Sequence, residues 1–362
     1  MYSKATVLVL VAALLFIVGS TAFAVEVAPG VKLSGYMQNR VYLAPGANPT
    51  FRSERISIMS TAALPNDSNA FVEVYYHPWA PASGFYLESA YYDTPLADGR
   101  LRIGKGRRLT FGITPSYPNR KTSNYGIVSE TFTQDRIQGV QYVTRRNNLD
   151  FGISAHTALR LGDRNIGEIP GDGVRNVDHQ VPHLTLRDLP GAWSRKLEYA
   201  SRLGGRWENL TAGASLSLAG LDDRDVVFLI DNDLLPGEAA PPSNRRIWGL
   251  DFMYRPSAFV TQGEWYDGRI GDLKFNAWNI VVGWQPPEGW KFFARYADKN
   301  VNAIPTANPR TWDVSQTSLS AVQPLRRGLW LQYEYEINRE SPPAEIDNVK
   351  NDIFFVELLT LF

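Results

Sequence analysis

The densest cluster of side chains able to do chemistry lies between positions 100 and 108, where five of nine residues are basic. These are Arg100, Arg102, Lys105, Arg107 and Arg108. Arg120 and Lys121 follow downstream, with Glu130 as the acidic residue closest to them. Guanidinium and ammonium groups attract anions by their charge and donate hydrogen bonds to oxyanions. The cluster therefore predicts a site that selects anions.

Side chains that could catalyse a reaction are sparse. Ser154 and His156 share one face of a predicted strand, but no third polar residue is placed to orient the base. His179 and His183 are four residues apart in a segment interrupted by proline, which is not the helical spacing of a metal pair. The chain has no cysteine, so a thiolate metal site is excluded. We expect no enzymatic activity, no metal and no cofactor.

The composition excludes two broad classes of protein. Lys plus Arg number 37 and Asp plus Glu number 37, which argues against a nucleic-acid-binding protein. The mean hydropathy is −0.24, and only one long apolar run exists, at the start of the chain. A polytopic helical membrane protein would need many apolar runs of about 20 residues.

Residues 1–24 have the pattern of a secretory signal peptide. Lys4 is followed by an apolar stretch over 7–18, and Ala22-Phe23-Ala24 is a small-x-small cleavage site. The alternative, a membrane-anchoring helix, is disfavoured because the apolar stretch is short for a span. We therefore expect an exported protein with one domain over 25–362.

The rest of the chain alternates between apolar and polar residues in segments of about ten residues. This period of two indicates β-strands with one apolar and one polar face, and about ten tilted residues cross a bilayer. Sixteen segments have the pattern: 31–43, 51–64, 70–78, 84–93, 100–111, 134–145, 149–160, 196–206, 208–220, 244–255, 257–267, 272–285, 289–299, 309–323, 327–338 and 350–362.

The connections between these segments alternate in length. Those over 112–133, 161–195 and 221–243 are long, whereas the intervening turns are short. Long external loops and short periplasmic turns are typical of an all-β transmembrane antiparallel β-barrel, here of 16 strands with both termini periplasmic. A soluble β-sandwich, the alternative, has no reason to sort its loops this way. The apolar run 226–230 leaves open a further hairpin and 18 strands.

The last strand resembles the C-terminal strand of Gram-negative outer-membrane proteins. Phe362 is preceded at intervals of two by Thr360, Leu358, Val356 and Phe354. An aromatic terminal residue after alternating apolar residues is the signature of that group. The resemblance implies insertion into the outer membrane.

The loop pattern resembles that of Gram-negative porins. In that group the third external loop folds into the lumen and narrows it, which implies a constriction at about 112–133. The stretch Leu101-Arg102-Ile103-Gly104-Lys105, with Phe111-Gly112 downstream, is similar to the phosphate-selective porin family. Gly106 stands where that family has an aromatic residue.

Alternation also predicts which charges line the pore. Arg102 and Arg108 are in phase with the lumen, whereas Lys105 and Arg107 are out of phase unless a glycine bulge intervenes. The predicted pore-lining set is Arg102, Lys105, Arg107, Arg108, Arg120, Lys121, Glu130, Arg40, Arg55, Glu73, Glu88 and Arg295. Further inward acidic candidates are Glu264, Glu334, Glu336 and Glu357.

A barrel of 16 strands is wide enough for an aqueous channel, and no connection is long enough for a separately folded plug domain. We expect a porin that passes small hydrophilic solutes and ions by passive diffusion, with a mild anion preference. Its expected partners are outer-membrane lipid and lipopolysaccharide and, by the resemblance, two further copies in a homotrimer. The alternatives are a non-channel barrel serving as adhesin or structural protein, and an outer-membrane hydrolase.

Overall fold

A computed structural model describes residues 24–43, 49–78, 84–167, 180–189, 194–235, 241–349 and 351–362. Sixteen of its strands form one closed antiparallel barrel, as the sequence predicts. The expected signal peptide lies outside the described residues, except for Ala24.

The barrel strands follow the chain order around the ring, and the hairpin β9 (Arg160–Ile166) and β10 (Val181–Arg187) is not part of it. They are β2 (Val31–Leu43), β3 (Thr50–Leu64), β4 (Ser68–Tyr76), β5 (Phe85–Leu96), β6 (Gly99–Gly106), β7 (Ile137–Arg146), β8 (Leu149–Thr157), β11 (Leu197–Trp207), β12 (Leu210–Gly220), β13 (Asn244–Tyr254), β14 (Phe259–Ile270), β15 (Leu273–Trp284), β16 (Lys291–Val301), β17 (Asp313–Arg326), β18 (Leu329–Ser341) and β19 (Ile353–Leu361). A short strand, β1 (Val25–Ala28), pairs with β2 at one rim.

The alternation in the sequence sorts side chains between the two faces of the barrel wall. Along β11, Leu197 and Tyr199 are exposed on the outer face, whereas Glu198 and Ala200, which alternate with them, are buried inside. Successive side chains of a strand point to opposite faces, so a polar interior and an apolar exterior need this period. The ring closes where β19 pairs with β2, and Phe362 and Gly35 exchange two backbone hydrogen bonds of 2.7 and 3.0 Å.

The two ends of the barrel differ in their connections. One end has tight turns, such as those at 97–98, 147–148 and 208–209. The other end carries the long connections 107–136, 158–196 and 221–243, although the connection at 271–272 is also short. The sorting of loops by end agrees with the sequence prediction.

The long connections contain structure of their own. Helix α1 (Ile127–Phe132) lies in the first, the hairpin β9 (Arg160–Ile166) and β10 (Val181–Arg187) in the second, and helix α2 (Asp223–Asp231) in the third. The apolar run 226–230 belongs to α2, which Asp222 and Asp225 cap reciprocally, so the 18-strand alternative is wrong. No helix in the described residues is long and apolar enough to cross a membrane.

An apolar core lies inside the barrel, where the sequence predicts an open lumen. Phe132 of α1 stacks 5.5 Å from Phe275 on the inner face of β15, and Leu184 of β10 and Leu229 of α2 join the same cluster. The sequence did not predict this shared core, to which all three long connections contribute. The three connections bury their apolar side chains together, because none could do so alone.

Candidate functional site

The connection between β6 and β7 crosses the lumen to the opposite wall. The backbone N–H of Ile113 donates to Glu264 over 2.8 Å, and the hydroxyl of Thr114 donates to the same carboxylate over 2.6 Å. Further along, the N–H of Ser123 donates to Glu334 over 2.5 Å. These acceptors stand on β14 and β18, far around the ring from β6 and β7. Residues 113–124 therefore form a bridge, here called the crossing loop.

Two basic residues hold the middle of the crossing loop. Lys121 Nζ donates to the side-chain oxygen of Gln262 on β14, and Arg295 of β16 donates to Thr122 Oγ1 over 2.6 Å. Gly126 follows with a φ of 80°, and a Cβ there would lie 2.5 Å from Arg295 Cζ. Only glycine meets both requirements, a left-handed backbone and close approach to a guanidinium.

Arg40 connects the crossing loop to the part of the barrel wall where β19 pairs with β2, here called the seam. Its Nε donates to Glu357 over 2.7 Å, its Nη1 to Asn124 Oδ1 over 2.9 Å and its Nη2 to the hydroxyl oxygen of Tyr117 over 2.9 Å. Nη2 also donates to Ser123 Oγ. The hydrogen-bonding capacity of this buried guanidinium is thus largely used within the protein.

A polar cavity of about 210 Å³ lies beside the crossing loop, on the side of β2 and β3. Its wall combines three arginines, three tyrosines and three glutamates: Arg40, Arg55, Arg120, Tyr42, Tyr117, Tyr125, Glu54, Glu130 and Glu336. The cavity is lined mainly by polar and charged side chains, whereas the apolar core surrounds α1, β10 and α2.

Arg55 and Arg120 are held in the cavity by aromatic rings. Arg55 Cζ lies 4.3 Å from the ring centre of Tyr75 and 5.5 Å from that of Tyr117. Arg120 Cζ lies 3.6 Å from the ring of Tyr117 and 3.8 Å from that of Tyr125. Cations bind the faces of such rings, which fixes a guanidinium without a carboxylate. Neither arginine forms an ion pair within the described part of the chain.

The basic run at 100–108 does not converge on this cavity. Arg102 pairs with Asp93 over 2.8 Å. Lys105 lies opposite Ala90 in the register and pairs with Asp188 over 2.6 Å. These ion pairs offset the charges that the sequence shows as a cluster.

The last two residues of the run belong to the base of the crossing loop. Arg107 donates to the backbone oxygen of Thr114. Arg108 is fully buried and pairs with Glu198 over 2.7 Å. Both arginines therefore have partners within the protein.

The three glutamates of the predicted pore-lining set have different environments. Glu73 is buried and accepts a hydrogen bond of 3.0 Å from Ser57, and Glu88 pairs with Arg136 over 2.6 Å. Glu130 of α1 lies 3.4 Å from Nε2 of His183. Of these three carboxylates, only that of Glu130 borders the polar cavity.

Sequence reasoning did not single out the residues that position the arginines. The rings of Tyr75 and Tyr117 contact the guanidinium of Arg55, and Ser123 and Asn124 accept hydrogen bonds from Arg40. The alternation of β4 places Tyr75 on the inner face, opposite Ser57, and could have indicated it. No periodicity governs the crossing loop, so its tyrosines and polar residues carry no comparable signal.

Comparison with solved structures shows that the fold is shared with outer-membrane proteins, among them porins. The outer-membrane channel DcaP of Acinetobacter baumannii is 10% identical with a TM-score of 0.61, covering 95% of this chain and 100% of its own. An anion-selective porin from Comamonas acidovorans is 13% identical with a TM-score of 0.59, covering 92% and 99%. The trimer form of OmpT, an outer-membrane protein of Vibrio cholerae, is 12% identical with a TM-score of 0.54, covering 92% and 99%.

No protein-family model matches the sequence, and no curated protein matches it. The relationship is therefore one of structure, carried by the sixteen-stranded antiparallel barrel. The chain has a porin-like fold.

Proposed function

We propose that the protein is an outer-membrane channel through which small hydrophilic solutes and ions diffuse passively, with a mild preference for anions. The observation that carries this proposal is the polar cavity beside the crossing loop, inside a barrel whose outer face is apolar. A polar interior and an apolar exterior match an aqueous path through a bilayer. The porin-like fold supports the same function, and neither a catalytic role nor a cofactor is part of it.

The anion preference rests on two arginines of the cavity that have no carboxylate partner among the described residues. Arg40 and Arg295 each face a carboxylate, Glu357 at 2.7 Å and Glu336 at 3.4 Å respectively. Arg55 and Arg120 are instead held by rings, so their charge is not offset by a direct partner among the described residues. Charges within about 8 Å of a passing ion act on it at physiological salt, so a narrow passage outweighs the net charge of the chain.

Conductance in planar bilayers tests the function. Purified protein under a salt gradient should give discrete current steps and a reversal potential on the anion side. A protein that inserts without current steps would instead fit a non-channel barrel, such as an adhesin or structural protein. Steps with a cation-side reversal potential would contradict the anion preference alone.

The orientation belongs to the same proposal, with export directed by the signal peptide at 1–24 and both ends of the mature chain in the periplasm. Asp231 at the end of α2 lies at the long-loop end, and Asn147 lies in a tight turn at the opposite end. In intact cells, an impermeant thiol reagent should label Asp231→Cys and spare Asn147→Cys. The reverse labelling would contradict the orientation.

The outer face offers a surface for the proposed homotrimer. On β2 to β5, Leu33, Ser60, Val72 and Ala90 follow one another in register and form a smooth row of small and aliphatic side chains. On the opposite side, the exposed residues include Trp207, Trp248, Trp278, Trp284 and Trp290. Indole rings favour the membrane interface, so the smooth row is the side suited to contact with other copies. Native mass spectrometry should find trimers, and Ser60→Trp should yield monomers.

A further inference from the structure

Arg55 differs from Arg40 in how its hydrogen-bonding groups are used. Arg40 donates to a carboxylate, an amide oxygen and hydroxyl groups. Within the described residues, Arg55 has neither a hydrogen bond nor an ion pair, although it lines the polar cavity. Its Nε is buried without a partner. A guanidinium in such a position lacks the acceptors that it normally has.

The rings that hold Arg55 leave its hydrogen-bonding edge unoccupied by any residue that the structure describes. Tyr75 and Tyr117 contact the guanidinium by their rings, and this contact needs no N–H donor. The donors of a guanidinium lie in its plane as a rigid fork, which matches the two oxygens of a carboxylate. Arg55 is therefore fixed in place and still able to bind an oxyanion in a bidentate manner.

A second guanidinium adds positive potential close by. Arg55 Cζ is 5.5 Å and Arg120 Cζ is 3.6 Å from the same Tyr117 ring centre, so the two carbons are at most about 9.1 Å apart. Nε and Nη1 of Arg120 are buried without partners. The two guanidiniums together favour an anion in the space beside Tyr117.

The acidic residues of the cavity limit the charge that such an anion can carry. Glu54, Glu130 and Glu336 line the same space. A phosphate carries about −1.5 to −2 charges at neutral pH and would meet stronger repulsion than a singly charged group. Tyrosine rings also offer apolar contact to an organic substituent. These features favour a small organic monocarboxylate over phosphate.

We propose that Arg55 is a docking group for small organic monocarboxylates, which bind to its free edge while they pass the cavity. This inference rests on the proposed channel function and names a substrate class for it. The ion-pair partner is the solute's carboxylate, and the site discriminates by shape as well as by charge. Chloride is a single atom and cannot accept the two parallel hydrogen bonds that the planar fork offers to the two oxygens of a carboxylate.

Single-channel recording with propionate as the probe tests the inference. In a potassium chloride bath, propionate should reduce the chloride current saturably, whereas neutral propionamide should not. Arg55→Lys keeps the charge and removes the planar fork, so the half-blocking concentration should rise at least fivefold with little change in the chloride reversal potential. Arg55→Gln should lose the block and weaken the anion preference as well.

Arg102→Lys is the matched control. Arg102 also stacks on a tyrosine, with Cζ 4.0 Å from the ring of Tyr91, but Asp93 occupies its donors at 2.8 and 3.2 Å. This variant should keep the wild-type half-blocking concentration. Retention of the barrel is checked for every variant by its heat-modifiable migration in gels.

Three outcomes would overturn the inference while leaving the channel function intact. The first is a wild-type channel whose current propionate does not block. The second is a half-blocking concentration that is the same in both Arg55 variants as in the wild type. The third is block by phosphate at lower concentrations than by propionate. Absence of current steps in the wild type would instead contradict the channel function itself.

Discussion

Arg108 and Glu198 form an ion pair of 2.7 Å although 90 positions separate them in the sequence. The same carboxylate binds Arg245 at 2.8 Å, and all three side chains are buried. One carboxylate thus lies between two guanidiniums, at the base of the crossing loop. The arrangement fixes the point where that loop leaves β6.

Removing this carboxylate should destabilise the barrel. Glu198→Ala leaves two buried guanidiniums close together without their counter-ion, and breaking a buried pair costs about 3–5 kcal/mol. Urea unfolding in detergent micelles measures the loss. Glu208→Ala, in an exposed turn, is the control and should unfold like the wild type. Equal unfolding midpoints for the two variants would contradict the role assigned to Glu198.

Shortening the crossing loop should widen the passage. Deleting residues 116–125 removes the contacts with Glu334, Glu336 and Glu357. We expect the single-channel conductance to rise about twofold or more, because the narrowest part of a pore dominates its resistance. The measurement is the size of current steps in planar bilayers at fixed salt. An unchanged step size would show that the constriction lies elsewhere.

The proposed anion preference should weaken between pH 7 and pH 9. Burial, with the charge of Arg255, lowers the pKa of Lys121 to about 8. Lys121 is therefore mostly charged at pH 7 and mostly neutral at pH 9, so the passage loses one cation as the pH rises. The reversal potential under a salt gradient should shift toward the cation side over this range. Lys121→Gln should remove most of that shift, and a shift that persists in full would implicate another group.

The hairpin β9–β10 should loosen in acid. His183 lies between Glu130 at 3.4 Å and Lys299 at 3.2 Å. Burial lowers the pKa of His183 to about 4, and the positive charges of Lys299 and Arg164 act in the same direction. A detached hairpin would have a histidine of ordinary pKa, about 6.5. The detached form therefore binds more protons, and the packing of the hairpin weakens as pH falls from about 6.5 to about 4.

Hydrogen exchange of the segment 181–187 measures this loosening. Exchange corrected for intrinsic rates should increase severalfold from pH 7 to pH 4.5 in the wild type. His183→Gln does not titrate and should show a smaller change. Identical pH dependence in both proteins would contradict a role for His183.

The barrel could be predicted from the sequence because each strand obeys one local rule. Leu197, Tyr199 and Leu203 alternate with Glu198 and Arg202, since one face of the wall is apolar and the other polar. That rule gives the number of strands, their approximate limits and the face on which each charge lies. It also gives the sorting of long and short connections between the two ends.

The contents of the barrel could not be predicted in the same way. Glu264 binds Ile113, and Glu334 binds Ser123, across sequence distances of 151 and 211 residues. No repeating pattern links such partners. The run 226–230 shows the same limit, because its apolar residues suit a strand or a helix, and the capping pair Asp222 and Asp225 decides for the helix.

The seam between β19 and β2 has a consequence for assembly. Its strands are joined by contacts such as Gln38 with Glu357, which are 319 positions apart, so the ring can close only after nearly the whole chain is available. Until then the sheet has two open edges, each with unpaired backbone groups that could join a neighbouring chain. A chain halted before Phe354 would keep both edges and be a target for quality-control proteases or for aggregation.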